Sequence, residues 1–401
     1  MESIKRKILL NISFRAIFVF ISKLMSLLFV PLLARYLGPQ KFGEYNYLIT
    51  VITYCAIAVN FGFLSYGIRS VSEGNSLNVV NTIFTSRALI GLFSILATMI
   101  ASLFISFLNE YLIIIIITIA AESLFLDFYF YGKKNVLIPS LAHVLSQLFY
   151  FGCLFLLVHL KQSMKIIILF YSFSRFLESM LLFMIYTLRH NKIYVNINKQ
   201  DFIVVLKKIF LLGFGNKIAF FKSSIPTLII PSIISFEALG YYSGFMKFAM
   251  FFNAAVQIIL FPIGPFISEN KKHPRFKVYI VRFILGLFLL GIIISVLSII
   301  FKHDVVNTLL GSKFEGINEI FNIGTITILL LTPIYLGTIV VTNYTGADKT
   351  FFKVSLISFI MALLLTPIFT FWWGLNGAFI ANFLSTLYFV AVQLVKFLKK
   401  Q

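Results

Sequence analysis

Charged residues are scarce in this sequence: Asp, Glu, Lys and Arg make up 12% of its 401 residues. Soluble globular domains average roughly 25% charged residues. Acidic residues are the scarcest, with 14 against 34 Lys and Arg, whereas hydrophobic residues make up 60% of the chain and Phe alone occurs 48 times. This composition excludes an ordinary soluble domain and predicts an all-α integral membrane protein.

Cysteine and clustered metal ligands are also scarce. Cys55 and Cys153 lie within apolar segments, which is typical of small core residues and not of a disulfide framework. The five histidines are scattered, and no Cys/His group has the spacing of a metal site, so we expect no metal and no cofactor. A G-x-x-x-x-G-K-[ST] phosphate loop is also lacking. We therefore expect any energy coupling to use an ion gradient.

Long apolar segments are what the sequence has in abundance. A helix that crosses a bilayer needs about 20 mainly apolar residues. The narrowest breaks between such segments fall at Asn109-Glu110 and at Trp373-Gly374. The first segment is too long for a signal peptide, so we interpret it as a retained helix. The twelve predicted spans are 12–36, 43–67, 84–108, 111–132, 136–158, 166–188, 209–234, 241–267, 279–301, 318–344, 352–372 and 375–397.

The distribution of cations predicts the orientation of these spans, because cytoplasmic loops are enriched in Lys and Arg. With both termini inside, most of the 34 cations lie on the cytoplasmic side, including Arg69 and Arg87. The net charge of +20 is thus a signal of membrane topology and not of nucleic-acid binding. The cations left on the outer side are Arg35, Lys41, Lys161, Lys165, Lys302 and Lys313.

A short motif occurs twice, about half the chain length apart. Phe42-Gly43-Glu44-Tyr45 aligns with Leu239-Gly240-Tyr241-Tyr242, and Pro31 and Pro231 precede the two copies. Duplicated sets of membrane helices are a common way to build a transporter with a substrate site between its halves. Duplication is the favoured interpretation, and chance or a shared packing requirement are the alternatives.

The longest polar stretch between spans divides the chain. It begins at Arg189-His190-Asn191-Lys192, ends at Lys207-Lys208 and lies on the cytoplasmic side. It separates six predicted spans from six. We therefore predict an N-terminal six-helix lobe at 1–188, a cytoplasmic linker at 189–208 and a C-terminal six-helix lobe at 209–401.

Several ionisable residues fall inside the predicted spans, where a charge costs at least roughly 2.5 kcal/mol unless it faces a cavity or a partner. Together the cations of the first, seventh and eighth spans predict a positively charged lumen that suits a phosphate or pyrophosphate group. Snorkelling to the headgroups is the alternative for Arg15 and Lys247, and one of Lys217 and Lys222 could be a headgroup anchor. The predicted substrate-binding cations are Arg15, Lys23, Lys217, Lys222 and Lys247.

Four further charges belong to the fourth and sixth spans. Arg175 and Glu178 are spaced i, i+3, which favours mutual neutralisation within one helix and leaves a role in the cavity open. Asp127 precedes Lys133-Lys134, and we interpret it as the acidic member of an ion pair with these lysines at the membrane interface. Glu122 lies deeper without a partner on its helix, so it is the candidate for a proton- or cation-coupling residue.

Polar residues other than Asp, Glu, Lys and Arg form two further stripes along helix faces. Ser140, His143 and Gln147 share one face of the fifth span, and Asn382, Thr386 and Gln393 share one face of the twelfth. We expect the side chains of both stripes to form hydrogen bonds with neighbouring helices.

Three stretches carry a family resemblance. The segment PLLARYLGPQKFGEY at 31–45 is similar to the start of polysaccharide-unit flippases of the Wzx type. Asn60-Phe61-Gly62-Phe63 with Gly67-Ile68-Arg69, and the second-half element Leu239-Gly240-Tyr241-Tyr242 with Lys247, resemble the same family. Its superfamily includes the multidrug and toxic-compound extruders (MATE) and the lipid II flippase. Lipid II flippases typically have two further spans, which this chain lacks. A role in peptidoglycan synthesis is therefore a less favoured interpretation.

The resemblance implies a V-shaped pair of six-helix lobes around a central cavity. It implies a flippase in the cytoplasmic (inner) membrane that moves undecaprenyl-pyrophosphate-linked oligosaccharide repeat units, such as those of O-antigen lipopolysaccharide or capsule, to the outer leaflet by alternating access. The family's cationic lumen would correspond to the five cations above. The expected partners are this lipid-linked substrate, membrane lipids, a polysaccharide polymerase and chain-length machinery, with no nucleic acid.

Three alternatives belong to other functional classes. A drug or organic-cation exporter of the same fold should favour acidic and aromatic groups in its cavity, whereas cations outnumber anions within these spans. A membrane glycan polymerase should have a large external loop with catalytic groups, whereas the largest outer loop here, 302–317, is short, so we expect no enzyme. A scaffold protein would leave the charged spans and the repeat unexplained.

Overall fold

The computed structural model is all-helical over the residues that it describes: 2–57, 59–74, 76–190, 217–260, 263, 267, 273–345 and 348–399. In the first helix the described side chains are Met25 and those from Leu28 onward. No β-strand occurs in these ranges, as the composition predicts. The helices are α1 (Glu2–Ile57), α2 (Phe63–Ser72), α3 (Ser76–Ser102), α4 (Ser106–Glu110), α5 (Leu112–Leu124), α6 (Asp127–Gly132), α7 (Leu137–His159), α8 (Met164–His190), α9 (217–233), α10 (Phe236–Leu260), α11 (Phe276–Ile300), α12 (Lys302–Leu309), a 3-10 helix (Ser312–Ile317), α13 (Asn318–Gly324), a π-helical turn (Thr325–Leu329), α14 (Thr332–Thr345) and α15 (Asp348–Lys399).

Eight helical segments in the described part of the chain are long and apolar enough to cross a membrane. They overlap the predicted spans from 84–108 to 166–188 and from 241–267 onward, and the two final predicted spans fall within one 50-residue segment. The total of twelve spans and the cytoplasmic position of both termini stay predictions. The eight segments are Val80–Ser102, Leu112–Gly132, Leu137–His159, Met164–Arg189, Phe236–Leu260, Phe276–Ile300, Ser312–Thr342 and Thr350–Lys399.

Glycines with positive φ interrupt the two longest helices. In α1 the break is Gly38 (φ 70°, ψ 173°), which Pro39 follows, and in α15 it is Gly374 (φ 59°). Glycine adopts such angles without a Cβ clash, and proline removes a helical N–H donor. These breaks lie between the predicted spans 12–36 and 43–67, and at the predicted break between 352–372 and 375–397.

The predicted second span, 43–67, is not continuous. Helix α1 ends at Ile57, and the chain turns through Gly62 (φ 77°) before α2 begins at Phe63. The left-handed angle at Gly62 is one that a residue with a Cβ rarely adopts, so the glycine allows the turn. The turn places Asn60 among the polar side chains described below.

The chain forms two compact units. Unit 1 contains Met1–Phe29 and Leu48–Lys217, and unit 2 contains Val30–Tyr47 and Ile218–Gln401. The middle of α1 thus belongs to the same unit as the second half of the chain. The predicted lobes 1–188 and 209–401 stay a prediction. Most of the predicted linker 189–208 lies outside the described residues, so its role stays a prediction.

The two copies of the repeated motif touch each other within unit 2. A Cβ on Gly43 would lie 1.9 Å from the carbonyl oxygen of Phe236, and a Cβ on Gly240 would lie 1.9 Å from that of Pro39. Only glycine allows two helix backbones to approach so closely, and small residues are typical of such crossings in membrane proteins. Both motifs therefore need a glycine at the point where their two helices touch. This contact packs Val30–Tyr47 against the second-half helices of unit 2.

The hydrophobic core of unit 1 surrounds α6. Phe128 and Phe130 are fully buried and pack with Phe63 of α2 and with Tyr186 of α8. Gly67 of α2 lies against the ring of Phe128, where an added Cβ would approach within 2.4 Å. This packing fixes α6, and with it Asp127, in the interior of the unit.

The predicted outer loop 302–317 is folded as α12 and the 3-10 helix. Arg35 of α1 donates from Nη2 to the carbonyl oxygens of Asn307 (3.2 Å) and Thr308 (2.7 Å) at the end of α12. The last carbonyls of a helix lack intrahelical partners, and a cation there is favourable. Arg35 therefore ties this segment to the rest of unit 2.

Candidate functional site

Polar and charged side chains gather inside unit 1 into what we call the charged network. Five helices and the turn before α2 contribute to it, so its members are far apart in sequence. In a bilayer, buried charges are tolerated when they are paired. The members are Asn60 from the turn, Arg87 of α3, Glu122 of α5, Asp127 of α6, His143 and Gln147 of α7, and Arg175 and Glu178 of α8.

Arg175 joins two carboxylates of the charged network. Its Nη1 lies 2.5 Å from Oε2 of Glu178, and its Nη2 lies 3.5 Å from Oε1 of Glu122. The guanidinium also lies 5.3 Å from the centre of the Phe125 ring. The pair that the i, i+3 spacing predicts is therefore present, and a second carboxylate from another helix extends it.

Glu122 has partners that its own helix could not reveal. Besides Arg175, its Oε2 accepts a hydrogen bond from Nδ2 of Asn60 at 2.8 Å. Both partners lie more than 50 positions away in sequence, so helical spacing leaves Glu122 apparently unmatched. Its predicted role in ion coupling stays a prediction.

Arg87 is fully buried, with a relative exposure of 0%. It donates to Oδ1 of Asn60 at 3.0 Å and to the carbonyl oxygen of Phe125, and its guanidinium lies 5.4 Å from the ring centres of both Phe63 and Phe128. Arg87 is therefore not an exposed loop cation, since it lies buried within the apolar segment Val80–Ser102. Its position inside the predicted span 84–108 is the sequence signal that indicates a buried location for Arg87.

Asp127 is buried at the start of α6. Its Oδ1 accepts the backbone N–H of Phe128 at 2.9 Å, and the positive charge that acts on it is that of Arg87. Lys133 and Lys134 are exposed, whereas core packing places Asp127 in the interior of the unit. The expected interfacial pair of Asp127 with these lysines stays a prediction.

His143 extends the charged network onto α7. Its Nδ1 lies 3.1 and 3.2 Å from the two carboxylate oxygens of Glu178, and its Nε2 lies 3.0 Å from Nε2 of Gln147. The predicted hydrogen bond from this polar stripe to a neighbouring helix is confirmed. The structure adds that the acceptor is an ionisable group, which the uncharged appearance of the stripe concealed.

Lys222 is the buried cation among the described side chains of unit 2, with a relative exposure of 9%. Its Nζ donates to the hydroxyls of Ser358 (3.0 Å) and Thr386 (2.9 Å), on the two halves of α15, and lies 5.7 Å from the ring centre of Tyr335. Its partners are thus neutral oxygens and an aromatic ring. Among the described side chains, no carboxylate forms a salt bridge with it.

Of the other four predicted lumen cations, the structure describes the side chains of two. Lys217 and Lys247 are half-buried on α9 and α10. The side chains of Arg15 and Lys23 lie outside the described ones. A single lumen shared by all five cations therefore stays a prediction.

The fold matches those of known membrane transporters. A multidrug-resistance MATE-family transporter in an inward-facing conformation superposes with a TM-score of 0.67 at 13% identity over 96% of each chain. The lipid II flippase MurJ, in an inward closed conformation, gives 0.74 at 16% identity over 96% of this chain and 87% of that one. A variant of the Vibrio cholerae MATE transporter VcmN gives 0.62 at 14% identity over 100% and 98%. These TM-scores over nearly whole chains establish a shared fold, and at such low sequence identities they establish the fold alone.

The sequence itself places the chain in a family. No curated protein matches it significantly. The family model described as "Polysaccharide biosynthesis protein" matches residues 8–271, well over half of the chain. Together with the MATE-like fold, this match confirms the resemblance to polysaccharide flippases that the sequence motifs carry. The chain therefore belongs to the polysaccharide biosynthesis protein family and is a multi-pass membrane protein with a MATE-like fold.

Proposed function

We propose that this protein is a flippase in the cytoplasmic membrane that moves undecaprenyl-pyrophosphate-linked oligosaccharide repeat units from the inner to the outer leaflet. The observation that carries this proposal is the polysaccharide biosynthesis match over residues 8–271 in a chain whose fold is similar to that of lipid II flippase MurJ. The family is described by polysaccharide biosynthesis, and the fold is shared with a flippase of lipid II.

Such a substrate needs a protein to cross the bilayer. Its sugar hydroxyls and its pyrophosphate would lose their hydrogen bonds to water in the hydrocarbon core, and each unsatisfied polar group costs several kcal/mol, on the order of 2–7. The polyprenyl chain has no such cost, because it is as apolar as the lipid tails. The protein therefore has to shelter the headgroup alone, and alternating access would do this without opening a continuous pore.

Lys222 is the residue that we assign to attraction of the pyrophosphate. Its ammonium donates to two hydroxyls, and among the described side chains no carboxylate forms a salt bridge with it. A positive charge held in this way would attract an anionic group. Arg15, Lys23, Lys217 and Lys247 stay further members of the predicted lumen.

Export of organic cations is the second candidate, because the fold also matches MATE transporters and unit 1 holds three buried or half-buried carboxylates, Glu122, Asp127 and Glu178. The charged network argues against it, since each of these carboxylates already has a donor within unit 1. Efflux of a cationic dye from cells that express the protein would support this candidate.

Gene deletion with complementation tests the flippase. We expect the deletion strain to lose surface polysaccharide and to accumulate lipid-linked repeat units on the cytoplasmic side, and the wild-type gene to reverse both effects. Lys222→Met should insert in the membrane at normal levels and complement poorly. Lys353→Met, which removes an exposed lysine of α15, is the matched control and should complement fully.

Normal surface polysaccharide in the deletion strain, with no redundant flippase gene present, would contradict the proposal. Accumulated repeat units found on the outer side would also contradict it, because they would point to a polymerization defect and not to a transport defect. Full complementation by Lys222→Met would remove Lys222 from the substrate site while leaving the flippase itself standing.

A further inference from the structure

Helix α15 folds back on itself as a hairpin of two antiparallel halves. Oγ of Ser358 donates to the carbonyl oxygen of Ser385 at 2.5 Å. Closer to the ends of the helix, the ring centres of Phe351 and Phe389 lie 5.8 Å apart. An earlier residue of the first half thus meets a later residue of the second half. The chain reverses its direction at the break that contains Gly374, where φ is 59°.

The charged residues of the hairpin lie at the end opposite to this break. No Asp, Glu, Lys or Arg occurs between Lys353 and Lys396. Because the halves are antiparallel, these two lysines belong to the same end, and Lys and Arg are enriched at the cytoplasmic ends of membrane helices. At about 1.5 Å per residue, the helix from Lys353 to Trp372 is about 29 Å long, which matches the thickness of the hydrocarbon core. This length and this charge distribution place the break at the outer boundary of the bilayer.

The side chains at the break form what we call the aromatic turn, which consists of Phe371, Trp372 and Trp373. Their relative exposures are 74%, 67% and 52%. The ring of Trp373 packs edge-on against that of Phe369, with 4.8 Å between the ring centres, and lies 6.4 Å from that of Trp372. These contacts order the turn without covering it. The two tryptophans are also the only ones in the sequence.

The exposed residues along the first half of the hairpin change in type at the aromatic turn. Before the turn they are aliphatic, as suits contact with lipid tails. An indole ring combines an apolar body with an N–H donor, and tryptophan is enriched at the depth of the lipid headgroups. The change occurs where the length of the helix places the bilayer boundary, so this face continues from lipid tails to lipid headgroups. The exposed aliphatic residues are Ile357, Ile360, Leu363, Leu364 and Ile368.

We propose that the aromatic turn anchors unit 2 in the outer headgroup layer of the membrane: the indole rings of Trp372 and Trp373 lie among the lipid headgroups and fix the depth of the hairpin. Lys222 shares this depth, because its Nζ donates to one hydroxyl on each half, those of Ser358 and Thr386. Ser358 lies about 21 Å along the helix from Trp372. The anchor therefore holds the ammonium of Lys222 in the inner half of the bilayer.

The depth of this ammonium bears on transport, because the lipid-linked substrate would enter from the inner leaflet. That consequence rests on the proposed function, whereas the anchoring itself does not. The two parts can therefore be tested separately, first by the position of the tryptophans in the membrane and then by transport.

Tryptophan fluorescence reports the depth of the aromatic turn in the full-length wild-type protein, since the chain has no tryptophan elsewhere. The protein is reconstituted in vesicles of lipids that carry bromine, a quencher, either in the upper part of the acyl chain or near its end. We expect quenching to be about twofold stronger with the upper position. Trp372→Phe and Trp373→Phe separate the contributions of the two rings.

A matched control moves the reporter to mid-membrane depth. Phe93 is exposed in the middle of the apolar segment Val80–Ser102, so Phe93→Trp in a Trp372→Phe/Trp373→Phe background should be quenched more by bromine near the chain end. The same preference in the wild-type protein would overturn the proposal. An absence of quenching by either lipid would overturn it too, because the turn would then be covered by protein.

The side of the membrane is tested by chemical labelling of cysteine. In a Cys55→Ala/Cys153→Ala background, Trp373→Cys should react with a membrane-impermeant maleimide added to intact spheroplasts. Lys353→Cys, at the opposite end of the hairpin, should react only after the membrane is opened. Labelling of Trp373→Cys only after opening, or not at all, would overturn the outer position of the anchor.

Transport tests the consequence for Lys222. In proteoliposomes, Trp372→Leu/Trp373→Leu should move a purified polyprenyl-pyrophosphate-linked oligosaccharide about threefold more slowly, because leucine lacks the preference of tryptophan for the headgroup layer. Trp372→Tyr/Trp373→Tyr should retain most of the rate. An unchanged rate in the leucine variant would contradict the role of the anchor in positioning Lys222. A lack of transport by the wild-type protein would instead count against the proposed function.

Discussion

The two units of this protein keep charge inside the membrane in opposite ways. Unit 1 gathers two guanidiniums, three carboxylates and a histidine from five helices, so that each charge faces an opposite one. In unit 2, the one buried ammonium among the described side chains is that of Lys222, which lies among two hydroxyls and an aromatic ring. The first arrangement pairs acidic with basic groups within the unit, whereas the second surrounds its charge with neutral groups.

This difference has an energetic consequence. Removal of one member of a paired network leaves its partner as an uncompensated buried charge, which is far more costly than the pair itself. Removal of Lys222 leaves only neutral groups, and these have other hydrogen bonds: Ser358 donates to the carbonyl oxygen of Ser385, and Thr386 contacts Oδ1 of Asn382. Charges in unit 1 should therefore matter for folding, whereas the charge in unit 2 should matter for function.

The largest expected effect is that of Arg175→Met. It leaves Glu178 and Glu122 without their shared cation, so we expect a loss of about 3–5 kcal/mol in the free energy of unfolding. A lower Tm in detergent and a lower level in the membrane would show it. Neutralising the carboxylate as well, in Arg175→Met/Glu178→Gln, should recover part of the loss. An unchanged Tm for the single variant would mean that the network does not stabilise unit 1.

Gly43→Ala should have the next largest effect, and it tests packing in unit 2. The added methyl group would meet the carbonyl oxygen of Phe236 at 1.9 Å, which backbone atoms cannot avoid without moving the helices apart. We expect a loss of about 2–3 kcal/mol, measured by thermal unfolding. Gly152→Ala on α7 is the control, because its Cβ meets nothing within 4 Å and should stabilise the helix slightly. Equal Tm values for the two variants would exclude a close helix crossing.

A comparison of Glu178→Gln with Glu122→Gln sharpens the account of unit 1. Glu178 lies 2.5 Å from Arg175 and also contacts His143, whereas Glu122 lies 3.5 Å from Arg175. Loss of the shorter, charge-assisted contact should cost about 1–2 kcal/mol and loss of the longer one less. Thermal unfolding of both variants measures the order. The reverse order would mean that Glu122 and not Glu178 anchors Arg175.

Lys222→Met should have the smallest effect on stability, within about 1 kcal/mol of wild type, because no charged partner is left behind and a flexible apolar chain of similar length fills the space. Its transport activity should nevertheless fall strongly. Thermal unfolding and complementation of the deletion strain measure the two properties side by side. A loss of stability as large as that of Arg175→Met would break the distinction between the two units.

Features that depend on neighbouring positions in the chain could be predicted from the sequence. The helix breaks at Gly38 and near Trp373-Gly374 follow from local backbone preferences, and the Arg175–Glu178 pair follows from helical spacing. The apolar segments were visible for the same reason, since each needs only its own composition to be suited to a bilayer.

Features that depend on contacts between helices could not be predicted. A cation near the start of a span, as Arg87 is, ordinarily belongs to a loop, and Asn60 is not ionisable, so neither position by itself indicates a member of a charged network. Glu122 meets Arg175 only because α5 packs on α8, and the orphan amide oxygen of Gln147 exists only in the folded unit.

By itself, the sequence determined that this chain is a helical membrane protein of the polysaccharide biosynthesis family, because composition, apolar length and the Gly-rich motifs are properties of the chain alone. The tertiary structure decided which charges form pairs in unit 1, and it decided that Lys222 in unit 2 contacts neutral groups. That decision depends on distances between helices, because the Coulomb energy of a charge pair falls from about 4 kcal/mol at 4 Å to about 2 kcal/mol at 8 Å at an effective dielectric constant of about 20. Residue spacing along one helix carries no information about those distances.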